Sequence, residues 1–289
     1  MTAASEHAAM RERAVVVATV PRDRDRWWPS LVVAAWCALI VLPVVPLVIW
    51  SAAFSWRWPD LLPGEWSGRA WRYVFSPTTQ VRPGLIGSVT VGVLTMLLSV
   101  VIGAPAGIAL GRMAFRGKRA LEMLLLAPFI VPGLVVTMGI QIVFIRWRLT
   151  DTVQGVVLAH VMPALPYVIV SVAGVAANLG VQVEEQARSL GATAWQAFRH
   201  VTLPLLRPGL AVGGLFAFLV SWGQYTSTLL IGGGKVQTLP LLVYTFTRSG
   251  DNPIAAALAL LFVAPAVLAL ILASRALRVD RRVVGTRRI

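Results

Sequence analysis

Residues 83–111 read PGLIGSVTVGVLTMLLSVVIGAPAGIALG, 29 positions without a Lys, Arg, Asp or Glu, bounded by Arg82 and Arg112. A hydrocarbon core about 30 Å thick needs roughly 20 helical residues, so an uncharged apolar run of this length predicts a transmembrane helix. The same test, applied outward along the chain, finds five more runs: 27–56 (30 residues), 123–145 (23), 152–183 (32), 208–234 (27) and 252–274 (23). The next longest, 236–247, has 12 residues and is too short to span, so it reads as an extracytoplasmic loop or a re-entrant piece. Barrel strands would show short alternating segments, and none are visible. The expected fold is all-α, a polytopic membrane protein with six transmembrane helices.

The composition agrees. Of 289 residues 57% are hydrophobic and 13% charged, with a mean hydropathy of +0.75. A soluble domain carries about twice that share of charge. The net charge of +14 comes from 26 Lys and Arg against 12 Asp and Glu. These cations sit in the gaps between the uncharged runs rather than on one folded basic face, so the partner they imply is the lipid bilayer and no nucleic acid. With the N-terminus inside, 18 cations fall on the cytosolic side and 8 outside. That bias follows the positive-inside rule and puts both termini in the cytoplasm. The expected organisation is a cytoplasmic basic tail (1–26), a first transmembrane helix (27–56), an extracytoplasmic loop (57–82), a core of five helices (83–277) and a second cytoplasmic basic tail (278–289).

The first run exceeds the 7 to 15 residues of a signal-peptide core and shows no small-residue cleavage site before Trp50, so it reads as a retained helix. Pro43 and Pro46 would kink it. Trp50, Trp56, Trp58, Trp66 and Trp71 cluster beyond it, as indoles do at a membrane interface. One cysteine, Cys37, excludes a disulfide framework. No acid or base lies inside any of the six runs except His160, which lacks a partner at HxxxH or HxxE spacing and reads as a hydrogen-bonded packing residue near Pro163 and Pro166. No nucleophile, paired-carboxylate or metal-ligand constellation is visible, so the chain is not read as an enzyme. A chain without charge at depth is poorly equipped to drive transport by itself.

Between the fourth and fifth runs the chain reads Glu184-Glu185-Gln186-Ala187-Arg188-Ser189-Leu190-Gly191-Ala192 and continues through Trp195, Phe198 and Val201 to Leu203-Pro204 and Pro208. The acidic start suits a helix N-terminus, Gly191 is able to turn the chain, and the three-residue spacing of Trp195, Phe198 and Val201 predicts a second short helix ended by Leu203-Pro204. The result is an amphipathic knob, suited either to the groove of another protein or to the lipid surface.

This loop, 184–204, resembles the EAA loop of ATP-binding-cassette (ABC) importer permeases, whose pattern is Glu-Ala-Ala, three residues, Gly, nine residues, Ile, one residue, Leu-Pro. Glu185, Gln186, Ala187, Gly191, Val201, Leu203 and Pro204 fall at those spacings, and Ala192 and Phe198 also fit; Gln186 for Ala and Val201 for Ile are the departures. The resemblance covers roughly residues 80–277. It implies a type I importer permease fold in the cell membrane of a prokaryote. Two such subunits, identical or homologous, would form the pathway above an ABC ATPase dimer, with an extracytoplasmic substrate-binding protein delivering solute. ATP and Mg would be bound by the ATPase, leaving this chain without a cofactor, a metal or a catalytic residue. By the same carry-over, Glu185, Ala187 and Gly191 would make or shape the ATPase contact, and Leu203-Pro204 would join it rigidly to the fifth span.

Pathway candidates are polar residues within the runs: Thr95, Gln141, Asn178, Ser221, Gln224 and Tyr225, the last two mid-span and bulky. Each hydroxyl has an equally direct role as packing between helices. The segment from Ser221-Trp222-Gly223-Gln224-Tyr225 through Gly232-Gly233-Gly234-Lys235 to Leu239-Pro240 is similar to permeases for polyamines, ferric iron, thiamine and sulfate. Trp222-Gly223 stands where sugar permeases of the same superfamily tend to carry Trp-Asn. The implied solute is a polyamine, ferric iron, thiamine or an oxyanion, with a sugar or glycerol phosphate as the alternative and a passive channel or scaffold as the more remote one. The Gly triplet lacks a Gly-Lys-Ser/Thr ending and reads as an outer hinge.

Overall fold

The computed structural model describes residues 27–57, 59–265 and 267–268. Both basic tails, Trp58 and the end of the sixth run lie outside the described residues. The chain divides into two compact units, Met1–Pro46 and Leu47–Ile289.

Helix α1, Trp27–Val41, is a 15-residue segment without charge. Helix α2, Val44–Ser51, follows the turn at Leu42-Pro43. The expectation of one helix over 27–56 is therefore corrected. Pro43 removes a ladder donor where the turn forms, and beyond Ser51 the chain enters a short strand, β1 (Ala53–Ser55), antiparallel to β2 (Glu65–Trp66). Helix α3, Arg69–Phe75, leads to α4, Val81–Arg112. Next come α5, Lys118–Ile130, α6, Gly133–Arg146, and α7, Val153–Leu179. Helices α8 (Gln182–Ser189) and α9 (Ala194–Ala197) form the predicted loop, and one π-helical turn, Phe198–Thr202, runs into α10, Leu203–Trp222. Helices α11 (Thr226–Gly232), α12 (Leu239–Arg248) and α13 (Asn252–Pro265) complete the described chain.

Among the described residues three helices are long and apolar enough to cross a membrane: Val81–Arg112, Val153–Leu179 and the continuous stretch Ala194–Trp222. At 1.5 Å per residue α4 alone is about 48 Å long. Other runs are broken. The run 123–145 is a pair of helices, Lys118–Pro128 and Gly133–Arg146, bent by 97°. Pro132 disfavours helical geometry at Val131, which is extended at φ −80° and ψ 129°. The run 208–234 breaks at Gly223-Gln224-Tyr225, where glycine weakens the helix. The short run 236–247, expected as a loop or re-entrant piece, contains the helix α12. The pair Leu203-Pro204 does not end the second short helix of the 184–204 loop either. Pro204 follows directly on the π-helical turn Phe198–Thr202, whose widened ladder still takes the Leu203 N–H at Phe198 O, and the helix continues through it.

The core is a three-helix packing of α4, α7 and α10. Small residues make the close contacts. Gly103, Gly107 and Gly111 on α4 lie against Val168, Val172 and Ala176 of α7; a Cβ on Gly107 would stand 2.8 Å from both the Ile169 carbonyl oxygen and Val172 Cβ. On the other side of α7, a Cβ on Gly213 of α10 would stand 2.9 Å from Val168 Cα. In lipid, where burying apolar surface against protein gains little, such close backbone approach is a main source of helix association. The contacts rise together along α4 and α7 and oppose along α10, so α4 and α7 run parallel and α10 returns antiparallel. Arg112, Leu179 and Leu203 therefore share one end of the bundle, the end that carries the predicted loop. Val101, Ile130, Val135, Ile142 and Ile145 are exposed, an apolar surface that suits lipid or another membrane subunit.

Candidate functional site

The loop at this end is built by local capping. Gly180 leaves α7 at φ 62°, and Glu184 and Glu185 occupy the first turn of α8. Helix α8 closes with a Schellman motif. Gly191, at φ 94°, donates its N–H to Arg188 O at 3.0 Å, and Ala192 donates to Ala187 O at 3.1 Å. Helix α9 then opens with a capping box: the Thr193 N–H donates to Gln196 Oε1 at 2.8 Å and the Gln196 N–H to Thr193 Oγ1 at 3.3 Å. The signal for this second cap, Thr193-x-x-Gln196, was present in the sequence but the resemblance rests on other positions. These caps stop one helix and start the next within four residues, which holds the knob in one shape.

Glu185, Gln186 and Gly191 are exposed, as are Leu190 at 90% and Trp195 at 66%; Ala187 and Ala192 are half-buried. Trp195 stacks on Phe198 at 5.7 Å between ring centroids. A capped tip that exposes a Trp stacked on a half-buried Phe offers the kind of aromatic anchor that binding hot spots use. Behind it, Glu184 Oε2 accepts from Arg112 Nη1 at 2.9 Å and from Thr202 Oγ1 at 2.9 Å. The knob is thus tied to the end of α4 and to the π-helical turn that enters α10. Leu203 and Pro204 lie just past that turn, joining knob and span without a loop.

The structure does not gather the pathway candidates into one site. Thr95 and Ser221 are buried and joined at 3.3 Å. Ser221 Oγ meets His160 Nδ1 at 2.9 Å, and His160 Nε2 meets Thr228 Oγ1 at 3.1 Å. The expected packing histidine is therefore hydrogen-bonded, to partners 61 and 68 positions away in sequence. Gln224 lines a cavity of about 610 Å³ together with Thr137, Thr226, Ser227, Met162 and Pro163; its walls carry no charged residue. Tyr225 instead packs on Tyr244 at 4.3 Å. Gln141 donates to the Leu230 carbonyl at 3.0 Å, which ties α6 to α11. Asn178 is exposed and donates to Gly174 O. It sits 18 positions beyond His160 on α7, about 27 Å along the helix, so the structure does not bring it to the others.

At the opposite end of the bundle two ion pairs hold the connections. Arg69 donates from both terminal guanidinium nitrogens, Nη1 and Nη2, to Asp251 at 2.9 and 2.8 Å, and Lys235 meets Asp151 at 3.1 Å. The Gly triplet ends α11 in left-handed turns at Gly233 and Gly234, and a side chain at Gly233 would overlap the Asp151 carboxylate.

The comparisons with known proteins bear on the whole bundle. Residues 103–284 match the family model described as binding-protein-dependent transport system inner membrane component. The molybdenum transport system permease protein of Mycobacterium tuberculosis is 32% identical over 263 residues, 86% of this chain and 93% of the relative. The sulfate transport system permease protein of Escherichia coli is 28% identical, covering 86% and 91%. The spermidine/putrescine permease protein of Haemophilus influenzae is 28% identical, covering 78% and 87%. A bacterial ABC transporter that imports the acidic polysaccharide alginate shares the fold, with a TM-score of 0.66 at 15% identity over 95% of this chain and 98% of that one. The chain belongs to the family of binding-protein-dependent transport system inner membrane components, the permease subunits of ABC importers.

Proposed function

We propose that this permease subunit forms, with a second identical or homologous permease, a pathway for a small oxyanion across the cell membrane of a prokaryote. An ABC ATPase dimer docks on the 184–204 knob and an extracytoplasmic binding protein delivers the solute. Six spans and cytoplasmic termini belong to this reading, with the knob and the basic segment Arg112–Arg119 on the cytosolic side. The observation that carries the coupling role is the capped tip, with Leu190 and Trp195 exposed and Trp195 stacked on the half-buried Phe198, fixed through Glu184 to two spans. A tip joined to α7 and α10 through the chain and to α4 through Glu184 transmits the closure of a bound motor to the pathway.

Charge favours an anion over a polyamine. In this topology the outer segments hold eight cations against the four carboxylates Asp60, Glu65, Asp151 and Asp251, a balance that attracts anions by electrostatic steering. The cavity at the helix break offers amide and hydroxyl groups and no carboxylate, which gives a polycation nothing to pair with. Two of the relatives are named for molybdenum and sulfate.

The test is reconstitution of the chain with its ATPase and binding protein in proteoliposomes, with ATP inside, and measurement of molybdate, sulfate and putrescine uptake. ATP-dependent uptake of an oxyanion supports the reading. Uptake of putrescine alone overturns the solute class, and uptake indifferent to ATP overturns the coupling.

A further inference from the structure

Helix α10 stops at Trp222 and the chain becomes helical again at Thr226. Within a membrane protein such a break persists only where surrounding groups re-satisfy the freed backbone and fix its path. One imidazole fixes that path from the side here, through two hydroxyls. Ser221 is the last residue but one before the break and Thr228 lies in the first turn after it, and the two hydroxyls meet opposite nitrogens of the same ring, His160. Thr228 Oγ1 also donates to the carbonyl of Gln224, in the middle of the break, at 2.8 Å, and Ser221 reaches across to Thr95 on α4. The ring is 1% exposed. A histidine suits this place because it is rigid and carries hydrogen-bonding atoms on two edges, whereas Phe has the volume and no polar atom, and Gln bunches its polar atoms at one end.

His160 does not line the cavity, but its neighbours Ala159, Met162 and Pro163 do. The ring sits behind that wall and holds the segment from which Gln224 and Ser227 face the cavity, linked to each other at 3.0 Å. We infer that His160 is a positioning residue for solute passage: it pins both sides of the break in the α10–α11 span and so sets where the Gln224 amide stands. This rests on the reading of the cavity as part of the solute pathway.

The experiment uses the assembled transporter carrying Cys37→Ala and Gln224→Cys, so that one thiol reports on the break. Its rate of modification by a small methanethiosulfonate is compared with and without Thr228→Val, which keeps volume and removes the hydroxyl that meets both His160 and the carbonyl at position 224, and His160→Phe, which removes only the ties of the ring. Ser88→Ala, which removes a buried hydroxyl bonded to the Leu239 N–H on a different contact, serves as the structural control. The rate is expected to change about fivefold or more in both test variants and little in the control, and the double variant is expected to be non-additive. In the transporter that keeps Gln224, Thr228→Val is expected to raise the KM for solute about tenfold with a smaller change in maximal rate. His160→Gln should recover part of the loss. Unchanged labelling in both test variants, or an equal change in Ser88→Ala, overturns the positioning role. Labelling requires no transport, so a parent complex that takes up no solute would overturn the pathway reading while the labelling comparison still decides the place of His160.

Discussion

Arg112, the last residue of α4, and Glu184, in the first turn of α8, form an ion pair at 2.9 Å with only 10% and 25% of their side chains exposed. The same carboxylate oxygen takes the Thr202 hydroxyl. Three segments of the bundle therefore meet on one carboxylate, and the only covalent links to the knob, from α7 and into α10, are supplemented by a tie to α4. Losing a hydrogen-bonded partner of a partly buried charge costs about 1.5–3 kcal/mol. Arg112→Ala is therefore expected to lower the unfolding temperature in detergent and to reduce solute uptake more than it reduces ATPase binding. Thr202→Val, which removes the neutral member of the same cluster, should show the same pattern at a smaller size. Equal loss of ATPase binding and uptake in Arg112→Ala would show that the pair shapes the docking surface instead.

Gly191 makes a separate prediction, because its constraint is backbone alone. At φ 94° it has no heavy atom within 4 Å of where a Cβ would stand. A side chain meets no clash there but meets left-handed strain of about 1–2 kcal/mol. Asn tolerates that region better than Ala, and Pro is incompatible with it. Co-purification of the ATPase is expected to fall in the order Gly, Asn, Ala, Pro at 191, with the permease still inserted in the membrane. Glu185→Arg, which reverses the exposed charge on the first turn of α8, should also lose the ATPase. Retention of the ATPase by both Gly191→Pro and Glu185→Arg would remove the knob from the coupling role.

The small-residue contacts predict a contrast between two glycines. At Gly107 a Cβ would press on α7 backbone and Val172, while at Gly174 on α7 nothing lies within 4 Å. Gly107→Ala is expected to destabilise the bundle by about 1–3 kcal/mol, as overpacking does. Gly174→Ala should be neutral or stabilising by about 1 kcal/mol, the propensity difference in a helix. Thermal unfolding in detergent reads both.

What the sequence disclosed and what it withheld follow from the range of the interactions. Uncharged runs located the three long helices, and the knob was legible because its caps are local: Glu184 and Glu185, Gly191 and Thr193-x-x-Gln196 all act within a few residues. The bend at Pro132 and the break at Gly223 were hidden because hydropathy ignores backbone geometry, and a run with no charge reads the same whether straight or folded. The links from His160 to Ser221 and Thr228 and from Arg112 to Glu184 join residues 61 to 72 positions apart. Nothing in the local pattern announces them, which is why His160 looked partnerless and Arg112 looked like one more topology charge. Asn178 and Gln224 were both candidates as polar residues within uncharged runs until the fold placed one exposed near the end of α7 and the other on the cavity wall.

The uncharged cavity wall gives a direct way to read the sign of the solute. Gln224 is its largest polar side chain, and Gln224→Glu keeps the shape while placing a carboxylate among Thr137, Thr226 and Ser227. Two unit charges about 4 Å apart at an effective dielectric of about 20 interact by about 4 kcal/mol, and even a quarter of that changes a rate severalfold. Gln224→Leu removes the amide without adding charge and serves as the reference. If an oxyanion passes this wall, Gln224→Glu lowers uptake well below Gln224→Leu near neutral pH, and part of the loss returns at acidic pH as the carboxyl protonates. A polycation would reverse the order, with Gln224→Glu matching or exceeding the parent. Equal uptake in all three proteins would place the solute elsewhere in the membrane domain. Uptake in proteoliposomes at two pH values, with the ATPase rate recorded alongside, separates these outcomes.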